Sequence, residues 1–367
     1  MPVLCCTIHI PSALSKDLYE RPAAFEFNMD EANDFAVVIG IDQYDEPEFT
    51  PLSGAHSDAK EFITWLQTDY VAKSGLKKDN IIFNKQKEAT YSDINRLFKQ
   101  LLAKAEKSKA EKSPRGKLYI FVAGHGSGAS LRDSLLFTSE HSWKLPMCYD
   151  LTRMADALRY SDYFKEILMF VDCCRNMRRY CALPIPLDLG GTESPATHFY
   201  CFGSVFGETT MEQTFGSKVA GVFSMHLLRA LRGRVENTIN QSGQVTAHRL
   251  VRHLSSAVQQ WGASSGTDHD PHDEDVLKRM VLVAGFPAPV RTIEVELSKP
   301  EEGFALFSGK FLTPLHWQSE PVSKNLFRIY WEEEDLKIIT VAVPRVKHCE
   351  AAERTVAATF DQRRIRV

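Results

Sequence analysis

Residues 166–180 read EILMFVDCCRNMRRY. Five consecutive apolar residues, Ile167 to Val171, have the pattern of a strand covered on both faces, and the run ends in an aspartate, two cysteines and an arginine. Two similar runs precede it: FAVVIGI (35–41), rich in β-branched residues, and LYIFVAG (118–124). Helical patterns lie between them. In 57–70, Ala59, Phe62, Ile63, Leu66 and Tyr70 recur at helical spacing with Ser57 as the candidate cap. In 90–107, Thr90 and Asp93 form a capping-box pattern ahead of a stripe of Ile94, Leu97, Phe98, Leu101 and Leu102. A further helix-like stretch covers 150–164.

After a Pro/Gly-rich segment (182–195) come a strand at 199–204, helices at 221–233 and 246–261, and a candidate last strand at 280–285. Strands alternating with helices predict an α/β fold: a mainly parallel sheet between two layers of helices, a three-layer sandwich. Beyond PAPV (287–290) the pattern changes to five short alternating segments with no convincing helix. The expected organisation is an N-terminal extension (1–30), a main domain (31–287) with a linker at about 177–198, and a small all-β domain (288–367).

At 367 residues the chain can bury a substantial core. Lys and Arg number 44 against 47 Asp and Glu, a formal charge of −3, which gives no electrostatic reason to expect nucleic acid or an anionic membrane as partner. The eight cysteines are too irregular for a disulfide framework, which favours a reduced compartment. The N-terminus lacks the basic start of a secretory signal and no stretch reaches membrane-span length, so a cytoplasmic location is expected.

In open α/β sheets ligands sit outside the carboxyl ends of the strands. Two strands here end in unusual residues, one in AGHGSG (123–128) and the other in DCCRN (172–176). A histidine between two glycines makes a poor core residue, so His125 is expected at an exposed strand end. Alternation along the second strand puts Asp172 and Cys174 on one side and Cys173 on the other. Cys174 can then meet His125. A thiol beside an imidazole can act as a nucleophile, with the histidine later protonating a leaving amine. The N–H groups of Gly126 and Cys174 are the candidate donors for the oxyanion formed on the way.

GHG followed by DCCRN, with 49 residues from position 125 to position 174, resembles the caspase-like cysteine peptidases, which include caspases, metacaspases and paracaspases. FAVVIGIDQYDEPEFTPLSGAHSDA (35–59) resembles that family's opening strand and its loop into the first helix, and YCFGSVFGETTMEQ (200–213) with GVFSMHLLRAL resembles its later strand and helix. The likeness covers about 250 residues. It implies that His125 and Cys174 are a catalytic dyad. It also gives the acids a role, since an anion beside a nucleophilic thiol opposes its ionisation unless the charge serves something else. In metacaspases, acids at the positions resembling Asp172 and Asp58 line the pocket for the residue before the scissile bond, which implies cleavage of protein substrates after Arg or Lys. Ala123 and Ala55 depart from that family's frequent Ser and Cys.

No cofactor is expected. The segment after Cys174 has no carboxylate, which leaves calcium dependence possible and unsupported, and DHDPHDED (268–275) reads as a solvated loop with no metal-ligand spacing. Arg178 and Arg179 are candidate processing sites, because caspase-like enzymes are often cut in this connection, and an upstream activating protease or other regulator is the implied partner. The resemblance also suggests a stress or immune effector.

Plainer readings stand beside these. Cys5, Cys6, Cys148, Cys173, Cys181, Cys201 and Cys349 read as small core residues. Asp172 could pair with Arg175, Asp58 could cap the first helix, Glu208 and Glu212 border either the cleft or the surface, and His226 reads as a core or edge residue. The competing functions are a catalytically silent caspase-like scaffold and a Cys–His amidase.

Overall fold

The computed structural model describes residues 33–286, apart from 71–75, 112, 114, 129, 131–132, 177–194, 216–217, 236–237, 241, 262–264 and 270–273; beyond 286 it describes strands alone. In chain order the strands to that point are β1 (Asn33–Gly40), β2 (Ile81–Phe83), β3 (Arg115–Gly124), β4 (Gly126–Ser127), β5 (Leu135–Phe137), β6 (Cys148–Asp150), β7 (Phe164–Cys173), β8 (Thr197–Phe202), β9 (Glu212–Phe215), β10 (Lys218–Gly221), β11 (Val245–Thr246), β12 (Gly266–His269) and β13 (Val281–Val283). The helices are α1 (Ala55–Trp65), α2 (Tyr91–Ala110), α3 (Leu151–Arg159), α4 (Val222–Leu231), α5 (Ala247–Gln259) and α6 (Glu274–Arg279).

Six strands form the central sheet in the order β12-β8-β7-β3-β1-β2; all pair in parallel except the edge strand β12, which runs antiparallel to β8. The three apolar runs picked out in the sequence are its middle strands, buried on both faces as their unbroken hydrophobicity requires. One face carries Ala36, Val38, Phe121 and Phe170 and is covered by Ala59, Phe62 and Trp65 of α1, Leu227 and Leu231 of α4, and Leu250 and Leu254 of α5. The other face carries Val37, Ile39, Ile120 and Met169 beneath Ile94, Leu97, Phe98 and Leu101 of α2 and Met154 and Leu158 of α3. This is the three-layer sandwich that strand–helix alternation predicts.

The capping box at Thr90 is present: Asp93 N–H donates to the Thr90 hydroxyl and Thr90 N–H to the Asp93 carboxylate. Four expectations need correction. α1 starts two residues before Ser57, with Gly54 at its cap, because carboxylates from elsewhere satisfy its first amides: Glu212 accepts from Gly54 N–H at 2.8 Å and Asp42 from His56 N–H at 2.9 Å. The helix read over 150–164 stops at Arg159, since Asp162 turns the chain with φ of 58° and Phe164 already belongs to β7. β13 pairs with β11 in a separate two-stranded ribbon and does not extend the central sheet. The acidic 268–275 stretch is not one loop, because its first residues belong to β12 and its last to α6.

Beyond residue 286, where five short segments are expected, the described residues include eight strands in two four-stranded sheets. β14 (Thr292–Glu296), β17 (Trp317–Pro321), β18 (Leu326–Trp331) and β21 (Arg364–Arg366) form one; β15 (Ala305–Ser308), β16 (Thr313–Pro314), β19 (Ile339–Val343) and β20 (Ala352–Val356) form the other. Among the described residues no helix is long and apolar enough to cross a membrane, and no group of three or more His, Cys, Asp or Glu is placed to hold a metal ion.

Candidate active site

β3 and β7 are neighbours, and their register pairs Ala123 with Asp172 and Gly124 with Cys173. One step beyond the last pair, His125 and Cys174 leave the sheet side by side. Both line a cavity of about 100 Å³ with Leu52, Ala55, Asp58, Ala123, Gly124, Asp172, Thr210, Glu212 and Gly221. Strand alternation sorts the cysteines as the sequence predicts. Cys173 is fully buried in the layer under α2 and α3, whereas Cys174 is half-buried at the cavity. Cys148 and Cys201 are buried as well; Cys5, Cys6, Cys181 and Cys349 lie outside the described residues, as do Arg178 and Arg179.

The loop bearing Cys174 is clamped from two sides. Gly128 N–H donates to the Asn176 carbonyl, Gly207 N–H to the Arg175 carbonyl and Arg175 N–H to the Glu208 carbonyl, while the Ser204 hydroxyl donates to the Cys173 carbonyl. Arg175 does not share the cavity. Its Nε and Nη2 donate to the Asp133 carbonyl and its guanidinium lies 4.0 Å from the Phe202 ring centroid, so the bonds on Asp172 come from elsewhere.

His125 is oriented by three residues. Its N–H donates to the Tyr44 hydroxyl at 2.7 Å, and its ring packs against Tyr44 and Phe49 with centroids at 4.8 and 5.6 Å. Nε2 lies 2.8 Å from the Thr50 carbonyl. A carbonyl only accepts, so Nε2 holds the proton and in the neutral ring Nδ1 keeps the lone pair.

Gly126 N–H is the second candidate oxyanion donor. The ladder bond beside it runs from Phe137 N–H to the His125 carbonyl, one step off the Gly126–Leu136 pair. That is the geometry of a non-hydrogen-bonded pair, so the β4–β5 ladder leaves the Gly126 N–H unused. Only glycine fits there, because a Cβ would lie 2.5 Å from the Leu135 carbonyl and 2.9 Å from Cys173 Cβ.

The two acids meet at the cavity floor across Gly221. Asp58 Oδ2 accepts the Gly221 N–H at 2.7 Å, so Asp58 bridges to β10 and does not cap its own helix. Asp172 Oδ2 accepts both the N–H and the hydroxyl of Ser224, at 3.1 and 2.6 Å, in the first turn of α4 where the helix dipole favours an anion. The Thr210 hydroxyl also favours the charged form of Asp172, yet no group has hydrogen-bond geometry on its buried Oδ1 among the described residues. Burial raises the Asp172 carboxyl and pushes Asp58 up to about 8, with the neighbouring Asp172 charge adding to the rise in Asp58. The apolar walls contributed by Ala55 and Ala123 add to this desolvation.

Cys174 is also raised, by burial and then by Asp172, while the N–H and hydroxyl of Thr210 and the Cys174 N–H favour the thiolate and pull the other way. Thr210, Ser224, Tyr44 and Thr50 were not legible as site residues. Ser224 had a local signal, three residues after the glycine that caps α4; Thr210 had none, because a loop brings it to the cavity. Glu212 borders the cleft and Glu208 is exposed.

No family model and no curated protein matches the chain. Among solved structures it is similar to caspase-1 from Spodoptera frugiperda, with 14% identity, 75% of this chain and 98% of that chain covered, and a TM-score of 0.46. It is also similar to pro-sf-caspase-1, with 13% identity, 66% and 89% of the two chains covered, and a TM-score of 0.42.

Proposed function

We propose that the chain is a cysteine endopeptidase that cleaves protein substrates after Arg or Lys. The observation that carries this reading is one cavity that joins His125 and Cys174 at its rim to Asp58 and Asp172 at its floor, with Asp172 Oδ1 buried and lacking a hydrogen-bonded partner among the described residues. A buried carboxylate oxygen without a donor costs free energy, and a substrate cation would supply the donor. A guanidinium can serve two carboxylates at once through its planar fork, which favours Arg over Lys.

The chemistry follows from the groups at the rim. In the free protein Cys174 is held as a thiol by burial and by the Asp172 charge. A bound cation offsets that charge and lowers the cost of the thiolate. His125 Nδ1 takes the thiol proton as the sulfur attacks the scissile carbonyl carbon, and the Gly126 and Cys174 N–H groups donate to the resulting oxyanion. His125 then gives the proton to the departing amine, leaving a thioester. Water attacks the thioester with His125 as base, and the acid product leaves with the thiol restored.

The reading extends to control and organisation. Cleavage after basic residues makes Arg178 and Arg179, in the connection between β7 and β8, substrates for the enzyme itself or for an upstream protease. Residues 288–367 are proposed as a separate β domain and the protein as cytoplasmic.

The test is a peptide library digested by wild type and by Cys174→Ala, with and without calcium. The expected result is cuts after Arg and Lys by wild type and a loss of at least roughly a thousandfold in the variant. Equal activity in both would end the nucleophile assignment, and cuts confined to Asp would end the pocket assignment.

A further inference from the structure

Four large apolar residues are exposed among the described residues, and two of them, Trp143 at 37% and Leu145 at 64%, sit on one turn. That turn is closed on itself: Leu145 N–H donates to the Ser142 hydroxyl and Ser142 N–H to the Leu145 carbonyl. Trp143 is backed by a continuous aromatic stack. Its ring lies 4.9 Å from Phe49, and Phe49 in turn lies 5.6 Å from His125. Phe137 and His141, parallel at 4.0 Å, meet Trp143 edge-on from behind. The other two exposed residues, Tyr160 and Trp261, are separate single cases of the kind that needs no explanation.

The position of this surface gives it an occupant. The acids that would hold the side chain before the scissile bond lie on the floor of the cavity, and His125, which protonates the departing amine, lies on its rim. The departing polypeptide therefore runs out over the histidine, and beyond that ring the aromatic contacts lead through buried Phe49 to the exposed indole of Trp143. Two ring contacts of 5.6 and 4.9 Å are spanned by two or three residues of extended chain at roughly 3.4 Å each.

We infer that Trp143 and Leu145, with Phe49 buried behind the indole, form a subsite on the leaving-group side of the cleft, selecting substrates with a large apolar side chain two or three residues after the scissile bond. This rests on the endopeptidase reading above. A turn fixed by its own hydrogen bonds offers the indole without ordering a loop, so apolar contact is made at little entropic cost.

The experiment compares two substrates: a short peptide with Arg followed directly by a fluorogenic amine, and a quenched peptide of the same sequence continued for four residues with Leu or Phe at the second or third. Wild type is expected to prefer the extended apolar peptide to one with Ser there by about tenfold in kcat/KM. Trp143→Ala should lower the ratio of extended to short substrate by a similar factor, and Trp143→Phe should restore most of it. A ratio unmoved by Trp143→Ala, or equal loss on both substrates, would overturn the subsite. Leu145→Ser provides a second variant should Trp143→Ala fail to fold. Failure of wild type to cleave even the short substrate would overturn the endopeptidase reading and this inference with it.

Discussion

Asp58 has a carboxyl pushed up to about 8 by burial, from an ordinary value of 3.8, and this has a consequence for stability. Between those values the folded chain keeps a proton that the unfolded chain has lost. Stability therefore falls as pH rises across that window, by up to roughly 1.4 kcal/mol per pH unit, and levels off above it. Asp58→Asn removes this dependence, so the melting temperature of the wild type should fall relative to the variant between pH 5 and pH 8. Parallel melting curves would contradict the buried acid pair. The same variant should lose about a hundredfold in kcat/KM on Arg substrates, because the guanidinium loses one of the two carboxyl groups that its own charge would ionise on binding. Thr210 acts on the other side of the balance by favouring the thiolate. Thr210→Val keeps the N–H donor but removes the hydroxyl, so kcat should drop roughly fivefold to tenfold and the acid limb of the pH–rate profile should move upward. An unchanged profile would show that the hydroxyl does not reach the sulfur during reaction. The sequence offered His125 and Cys174 at the ends of two strand patterns, and Asp58 and Asp172 through the resemblance to metacaspases; all four line one cavity. Thr210 and Thr50 were not legible, because a loop's side chains and carbonyls face wherever tertiary contacts put them.

Among elements, the junction of β10 and α4 does the most for the cavity. Gly221 ends the strand and caps the helix, its N–H holds Asp58, and Ser224 three residues on holds Asp172. Its backbone, with φ of −64° and ψ of 134°, suits any residue, so the need for glycine comes from space alone. A Cβ there would lie 2.1 Å from Asp172 Oδ2 and 3.2 Å from Asp58 Oδ2. Gly221→Ala should therefore drive Asp172 off Ser224 and cut activity on Arg substrates by about a hundredfold, while Cys174 still reacts with a small alkylating agent. Retained activity would place the cation elsewhere. The helix limits show why local patterns misplace ends. Ser57 looked like the cap of α1, but Glu212 and Asp42 supply the capping carboxylates from distant segments and let the helix begin earlier.

In the whole molecule, the groups lining the cavity come from five segments brought together at the carboxyl edge of one sheet: the start of α1, the ends of β3 and β7, the stretch from Thr210 into β9, and the turn into α4. The connection after β7 carries Arg178 and Arg179. If the enzyme processes itself there, active wild type should run as two fragments on a denaturing gel, and Arg178→Gln/Arg179→Gln should run as one. A fully active wild type that stays as a single band would exclude processing. The sequence by itself determined the four long parallel strands β1, β3, β7 and β8, the burial of the first three on both faces and the side of β7 on which each cysteine lies, because hydrophobic periodicity is a local property that burial enforces. Only the tertiary structure decided that Asp58 and Asp172 share Gly221, that Thr210 lines the same cavity as Cys174 and that Thr50 fixes the His125 tautomer. Those contacts join residues far apart in the chain, and their distances follow from sheet order and register, which no local pattern encodes.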